Sequence, residues 1–397
     1  MSVDYKPGDV LEVRIEKIVP RGYGLAFAEG LTVFVSLAVA GDVLSVRIRE
    51  LKGRTAFAEI ESVIKPSLDR IDPPCPYFGT CGGCDFQQMK YTAQLGAKVE
   101  IIRDNLRRIG KIEYDNEIPI VPSPAEFGYR LRAQWHADAN MKAIGYYRRN
   151  SRDLVDIDQC MILTPELQDK LTDLRTSLPW EVFLSDKVQI DAATGDEGKT
   201  SVSSPELPEP ETEIEISAFG EKLWFSARSF FQGNRFLIDK LVEVAIGESS
   251  GANALDLYCG VGLFTLPLAR RFSNVIGIEE NDEAVRFARQ SAEGAGLANV
   301  EFRAQNVRRY LANVVESDLD FVLLDPPRFG TEKEMMASLI RLRPRHVSYV
   351  SCDPSVLARD LRRFVENGYA IRSITALDMF PQTHHVETVV HLDRGIG

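Results

Sequence analysis

Five stretches of this sequence place reactive side chains where strands meet turns. In Ala254-Leu-Asp256-Leu-Tyr258-Cys-Gly260-Val-Gly262-Leu-Phe-Thr265 an apolar run enters Gly-x-Gly and then a helical pattern, which lets backbone approach a nucleotide-like ligand. Thr265 replaces the third glycine of the dinucleotide fingerprint, which weakens nicotinamide binding, while the acidic Asp256 suits the cationic amino-acid portion of S-adenosylmethionine. The next apolar run, Ile276-Gly-Ile-Glu279-Glu280, ends in a carboxylate at the distance where a ribose diol is accepted, and Glu279 fits that role better than Glu280. Phe321-Val-Leu-Leu-Asp325-Pro326-Pro327-Arg328 offers a third carboxylate beside rigid prolines. Its Arg328 carries a fixed charge that opposes the cation formed when an amine attacks a methyl group, which counts against N-methylation.

Two further residues could react covalently or move protons. Cys352, in Val350-Ser-Cys352-Asp-Pro354, ends an apolar run immediately before a helix, where backbone donors and the positive dipole end lower a thiol from its usual pKa of about 8.5. A small core residue is the bland alternative, but a strand end is where sheet ligands gather. In His384-His385-Val-Glu387-Thr-Val-Val-His391, strand alternation puts His385, Glu387 and Val389 on one face, so a carboxylate can point into the same crevice. A surface carboxylate on an edge strand is the alternative, and a metal site of His385 and His391 lacks a third ligand at clear spacing. The remaining cysteines form Cys75-x5-Cys81-x2-Cys84 with a distant Cys160, a four-thiolate metal pattern that spacing alone assigns to neither zinc nor iron and sulfur.

These residues need a scaffold. From about Asn234, strand and helix patterns alternate, which predicts an α/β, Rossmann-like doubly wound sheet with a crevice at the strand carboxyl ends, closed by an antiparallel hairpin of YAIRSITALDMF and HVETVVHLD. Residues 1–64 read as five short strands of a small barrel, an OB-like fold that often binds oligonucleotides. Between them, a helix over 95–109 and a strand-rich central region carry the cysteines, interrupted by an acidic stretch over 191–213 that reads as a solvent-exposed loop. The expected domains are therefore 1–64, 65–228 and 229–397.

Composition is consistent with this division. A chain of 397 residues predicts two or three domains, and 44% hydrophobic with 26% charged residues excludes a collagenous or largely disordered protein. The start lacks a signal-peptide core and no apolar run is long enough to span a bilayer, so a soluble cytoplasmic protein is expected, its cysteines outside any disulfide framework. The net charge of -11 misleads about partners, because residues 184–221 hold -8 of it. Elsewhere basic residues cluster, at Arg103, Arg107, Arg108 and Lys111, at Arg130, Arg132, Arg148, Arg149 and Arg152, and at Arg341, Arg343 and Arg345, and phosphate contacts need only local positive surface.

Taken in order, PCPYFGTCGGC with Cys160, SFFQGN, LDLYCGVGLFTLPLA, LLDPPRFG, VSCDP and HVETV resemble the RNA (uracil-5-)methyltransferase family over nearly the whole chain. The branch they resemble acts on ribosomal RNA and carries a TRAM domain and an iron-sulfur cluster. The resemblance implies that Cys352 is the nucleophile and Glu387 the general base. It implies that Gln232, Tyr258, Glu279, Asn306 and Asp325 contact S-adenosylmethionine, and that Cys75, Cys81, Cys84 and Cys160 hold a 4Fe-4S cluster. Leu263 departs from the family, whose members often place Asn there. The activity implied is methylation of a uridine at C5 in 23S ribosomal RNA by a monomer, with transfer RNA methylation or a non-catalytic RNA-binding iron-sulfur protein as alternatives. Phe230, Phe231 and Phe380 are candidates for stacking on bases.

Overall fold

In β1 (Val10–Arg14) Leu11 and Val13 are buried while Val10, Glu12 and Arg14 face solvent, the period-two pattern that seats one strand face on a core. The computed structural model describes residues 5–183, 185–207, 212–314 and 318–395. β2 (Lys17–Val19), β3 (Tyr23–Ala28), β4 (Leu31–Val35), β5 (Val43–Lys52) and β6 (Thr55–Lys65) complete a sheet ordered β1-β5-β6-β4-β3-β2 around Ile15, Ala26, Val33, Leu44, Val46 and Ile48. The expected five-stranded barrel is corrected on two points: the sheet has six strands, and no pairing among the described residues closes it. The run VLEVRIEKIV breaks at Ile15 and Glu16 because their amides bond Asp42 and Leu25 instead of one continuous partner.

The chain divides into two compact units, neither contiguous in sequence. The first comprises Met1–Asp104, Tyr146–Val155 and Phe380–His385; the second comprises Asn105–Gly145, Asp156–Met379 and Val386–Gly397. The first holds the sheet just described, the loop carrying Cys75, Cys81 and Cys84, and α1 (Tyr91–Asn105) up to its last residue.

The second unit begins with a helical turn over Leu106–Gly110 and the short β7 (Ile120–Val121). β8 (Arg132–Asp138), β9 (Ala143–Tyr147), whose last two residues belong to the first unit, and β10 (Leu154–Asp156), of which only Asp156 belongs to the second, precede α2 (Pro165–Ser177), and β8 pairs antiparallel with β11 (Lys187–Thr194), which pairs with β12 (Thr200–Ser203). This corrects the acidic loop expected over 191–213. Its first half is strand, because Ala192, Ala193 and Ser201 are fully buried while the acids flank them; residues 208–211 lie outside the described residues. β13 (Ile214–Ala218) and β14 (Glu221–Phe225) form a hairpin.

After α3 (Ile238–Ile246) the chain alternates β15 (Gly251–Leu257), α4 (Thr265–Ala269), β16 (Phe272–Glu279), α5 (Asp282–Gly294), β17 (Val300–Ala304), α6 (Val307–Asn313), β18 (Phe321–Leu324), α7 (Lys333–Arg341), β19 (His346–Ser351) and α8 (Pro354–Glu366). It ends with β20 (Tyr369–Leu377) and β21 (Glu387–Arg394). These strands and β7 form one eight-stranded sheet, β17-β16-β15-β18-β19-β21-β20-β7. Residues Phe321 to Leu324 are all buried, as a strand covered on both faces requires. Strand order reverses between β15 and β18, which opens the ligand crevice of a doubly wound sheet. The closing hairpin is antiparallel as expected, with β21 inserted between β19 and β20. No helix among the described residues is long and apolar enough to cross a membrane.

Candidate active site

The carboxyl ends of β15, β18 and β19 and the amino end of β21 meet at the crevice. β19 and β21 pair Ser351 with Thr388, the residues directly before Cys352 and directly after Glu387, and the Glu387 charge acts on the Cys352 thiol. Asp325 follows the last residue of β18, its amide bonds Leu257 at the end of β15, and its carboxylate accepts the Gln232 amide at 3.2 Å. Gln232 and Glu387 are both 4% exposed.

Burial governs the protonation of this group. It pushes the Asp325 carboxyl up to about 7, with only the Gln232 hydrogen bond opposing it. It pushes Glu387 well above the ordinary carboxylate range, reinforced by the Asp325 charge and opposed by Arg328. Burial, then the Glu387 charge, pushes the Cys352 thiol up to about 12, with Arg328 pulling the other way. The expectation of a thiol lowered by the α8 dipole is therefore corrected. Asp353 caps α8, accepting the amides of Ser355 at 2.8 Å and Val356 at 3.1 Å, so those donors serve the cap and not the sulfur. The resting site is a proton-holding one, with Arg328 the cation that eases ionisation.

The glycine turn is built for close approach. Tyr258 adopts a left-handed φ of 64°, a conformation costly for a side chain of its size, and Gly260 follows with open space where a Cβ would be. Glu279 closes the turn by accepting the Gly260 amide at 3.1 Å and the Asn281 amide at 2.8 Å. Asp256 does not offer the exposed anion expected of it: it is fully buried, accepts the Thr265 hydroxyl at 2.5 Å, and burial pushes it up to about 8. Asn306 caps α6 through the Arg309 amide and donates to Glu280 at 3.2 Å, bordering a cavity of about 410 Å³ with Glu280, Asp282 and Arg309.

Across the chain, residues 215–395 match the family described as tRNA (Uracil-5-)-methyltransferase. A 23S rRNA (uracil(1939)-C(5))-methyltransferase RlmD from Pectobacterium atrosepticum is 32% identical over 96% of this chain and 93% of its own. An uncharacterized RNA methyltransferase from Thermosynechococcus vestitus is 31% identical over 99% of both. The chain belongs to the RNA (uracil-5-)methyltransferase family. The tRNA (uracil-54, C5)-methyltransferase of Pyrococcus abyssi, solved with S-adenosyl-L-homocysteine, is similar in structure, with TM-score 0.77 and 26% identity over 96% of this chain and 99% of that one. This RNA (uracil-5-)methyltransferase is thus an S-adenosylmethionine-dependent enzyme.

The enzyme's other expected residues separate. Phe230 is 67% exposed with the Arg132 guanidinium 5.9 Å from its ring, whereas Phe231 is buried and stacked on Phe225, which makes it core. His391 bonds the Val244 carbonyl at 2.8 Å through Nε2, an ordinary structural role. Cys75, Cys81 and Cys84 lie in the first unit and Cys160 in the second; none of them is in a disulfide. No three His, Cys, Asp or Glu side chains among the described residues are gathered as a metal site. The Gly83 amide nevertheless donates to the Cys81 sulfur at 3.4 Å, a contact that suits a thiolate. Sequence reading missed Asp85 and His384, which bond at 2.6 Å; an acid directly after Cys84 was the available signal.

Proposed function

We propose that the enzyme methylates C5 of a uridine in 23S ribosomal RNA through a covalent adduct between Cys352 and C6. The nearness of Cys352 to Glu387 and Asp325, whose charges both act on its thiol, carries this reading. S-adenosylmethionine, held by Gln232, Tyr258, Glu279, Asn306 and Asp325, supplies an electrophilic methyl group. Uracil C5 alone is too weak a nucleophile to accept it. Cys352 loses its proton to solvent base, and its sulfur bonds C6 while the C5–C6 π pair moves toward O4 to make an enolate. The electron pair returned through C5 forms the new carbon-carbon bond as the sulfonium-methyl bond breaks. Glu387 then takes the C5 proton, the C–H pair restores the double bond, and Cys352 leaves as thiolate. Raised proton affinity makes Glu387, once ionised, a stronger base than an ordinary carboxylate.

The target base must be unstacked to reach such a crevice, which fits the exposed Phe230 beside Arg132. The RNA-facing role of the TRAM-like domain, residues 1–64, is supported by Phe34 and Phe57 stacked at 5.4 Å, with Tyr23 edge-on and Lys52 over Phe57. The central domain would span 65–228 and the methyltransferase domain 229–397. Cys75, Cys81, Cys84 and Cys160 are the residues that would hold a 4Fe-4S cluster, as their all-thiolate donor set suits it. Anaerobic purification should yield iron with acid-labile sulfide; stoichiometric zinc would replace that assignment. A cytoplasmic monomer is the working form proposed. Transfer RNA is the second reading, favoured by the likeness to the Pyrococcus abyssi enzyme. Incubation with labelled methyl donor and unmodified 23S ribosomal or transfer RNA decides it: label in transfer RNA alone overturns the ribosomal target, and label in neither overturns the activity.

A further inference from the structure

Six residues, Phe380–His385, belong to the first compact unit, while Met379 before them and Val386 after them belong to the second. The chain therefore returns to the second unit only one residue before Glu387, at Val386. Within the first unit these six residues are held by an unusual density of bonds. The Gln382 carbonyl accepts the amides of Asp85 at 2.9 Å and Phe86 at 3.0 Å. Its side chain and amide pair reciprocally with buried Gln94 of α1, both at 3.0 Å. The ammonium of Lys98, a residue with no exposed surface, donates to the Phe380 carbonyl at 3.0 Å. Asp85 bonds His384 Nδ1 at 2.6 Å through one oxygen and the Arg149 guanidinium at 2.7 Å through the other. Gln382 is 2% exposed with a left-handed φ of 68°, strain that persists only where surroundings over-determine the backbone.

We propose that this clamp, made by the residue following Cys84 and by α1, is a positioning device for proton removal: Asp85 and His384 aim Glu387. The inference rests on Glu387 being the general base. Only His385 and Val386 lie between His384 and Glu387, a reach of at most about 10 Å, so little chain is available to absorb a displacement. A misplacement of about 1 Å at a reacting group can cost about a hundredfold in rate. Loosening the clamp should therefore slow the step Glu387 performs and spare the step Cys352 performs.

The test uses full-length enzyme, an RNA substrate and denaturing gels that follow formation and decay of the covalent adduct. Asp85→Asn and His384→Leu should form adduct at near the wild-type rate and release it roughly tenfold more slowly, with kcat reduced and KM for RNA unchanged. His384→Asn, which returns a polar atom to the Nδ1 position, should restore most of the release rate. The double variant should be no slower than the slower single one, as expected of residues acting through one contact. Metal content, measured alongside, should match wild type for His384→Leu, and its melting temperature should fall no further than that of Asp85→Asn. Release at the wild-type rate in both variants overturns the clamp, as does an equal loss of formation and release, which marks general destabilisation. Should Glu387→Gln itself fail to accumulate adduct, the base assignment falls and the clamp's role with it; if Glu387→Gln accumulates adduct while the clamp variants do not, only the clamp falls.

Discussion

Asp85 and Asp325 are both largely buried carboxylates, yet they stand at opposite ends of the accessible range. Burial works against ionisation of Asp85, but the hydrogen bond and charge of His384 and those of Arg149 outweigh it and hold the group down at about 2. Burial of Asp325 meets only the amide of Gln232, and the group rises to about 7. Desolvation is common to both; partners decide the outcome. A carboxylate given an imidazole and a guanidinium as partners becomes a fixed anchor. One left with a single neutral donor keeps a high proton affinity, and it shares its crevice with a thiol and a second acid in the same condition.

Four experiments can break or sharpen that contrast. The largest effect is expected for Cys352→Ala: methyl transfer should fall at least about a thousandfold with no RNA adduct, while the affinity for S-adenosylmethionine, measured by calorimetry, stays near wild type. Normal turnover would mean the proton-holding crevice serves something other than nucleophilic attack. Glu387→Gln should lower turnover on the order of a hundredfold or more and let methylated adduct accumulate on gels. Free turnover of that variant would leave the raised Glu387 without a role.

A smaller effect is expected from Arg328, the cation that eases ionisation of Cys352 and Glu387. With a thiol at about 12, adduct formation on 5-fluorouridine RNA should climb with pH between about 7 and 9, nearly tenfold per unit. Arg328→Gln should slow it about threefold at every pH in that window, since losing the cation raises the thiol further. A flat pH profile would show that the thiol is already ionised in the complex.

The smallest effects concern stability, where the two aspartates should tilt the pH dependence in opposite directions. Asp85 binds its proton more weakly folded than unfolded, so its contribution is present above about 4 and is lost as pH falls through about 2. Asp325 binds its proton more tightly folded, so its contribution is present below about 4 and is lost as pH rises through about 7. In thermal melts, Asp85→Asn should be less stable than wild type at pH 6, whereas Asp325→Asn should gain relative stability above pH 7. The same sign for both variants would refute the contrast.

Much of this site was legible because its residues sit at strand ends, and strand ends can be read from local pattern. Apolar runs stopping at Asp325, Cys352 and Glu279 announced positions at one crevice, and β20 with β21 read as a hairpin because no helix pattern intervenes. The barrel failed because whether Ile15 and Glu16 continue a strand depends on which carbonyls they meet, Asp42 and Leu25, and these are distant in sequence. The acidic loop failed for a related reason: charge along 191–203 concealed the small buried residues between the acids, Ala192 and Ala193, that β12 covers.

By itself the sequence determined the order of elements, the presence of a thiol and several carboxylates at their ends, and the family the chain belongs to, because each depends on residue type and short spacing. Tertiary structure alone decided which of those groups hold their protons. Ionisation follows desolvation and the partners each group meets, and those come from far along the chain: Gln232 for Asp325, and His384 with Arg149 for Asp85. Cys352 makes the same point, since its neighbour Asp353 takes the helix donors and burial raises the sulfur that local pattern had marked as easily ionised.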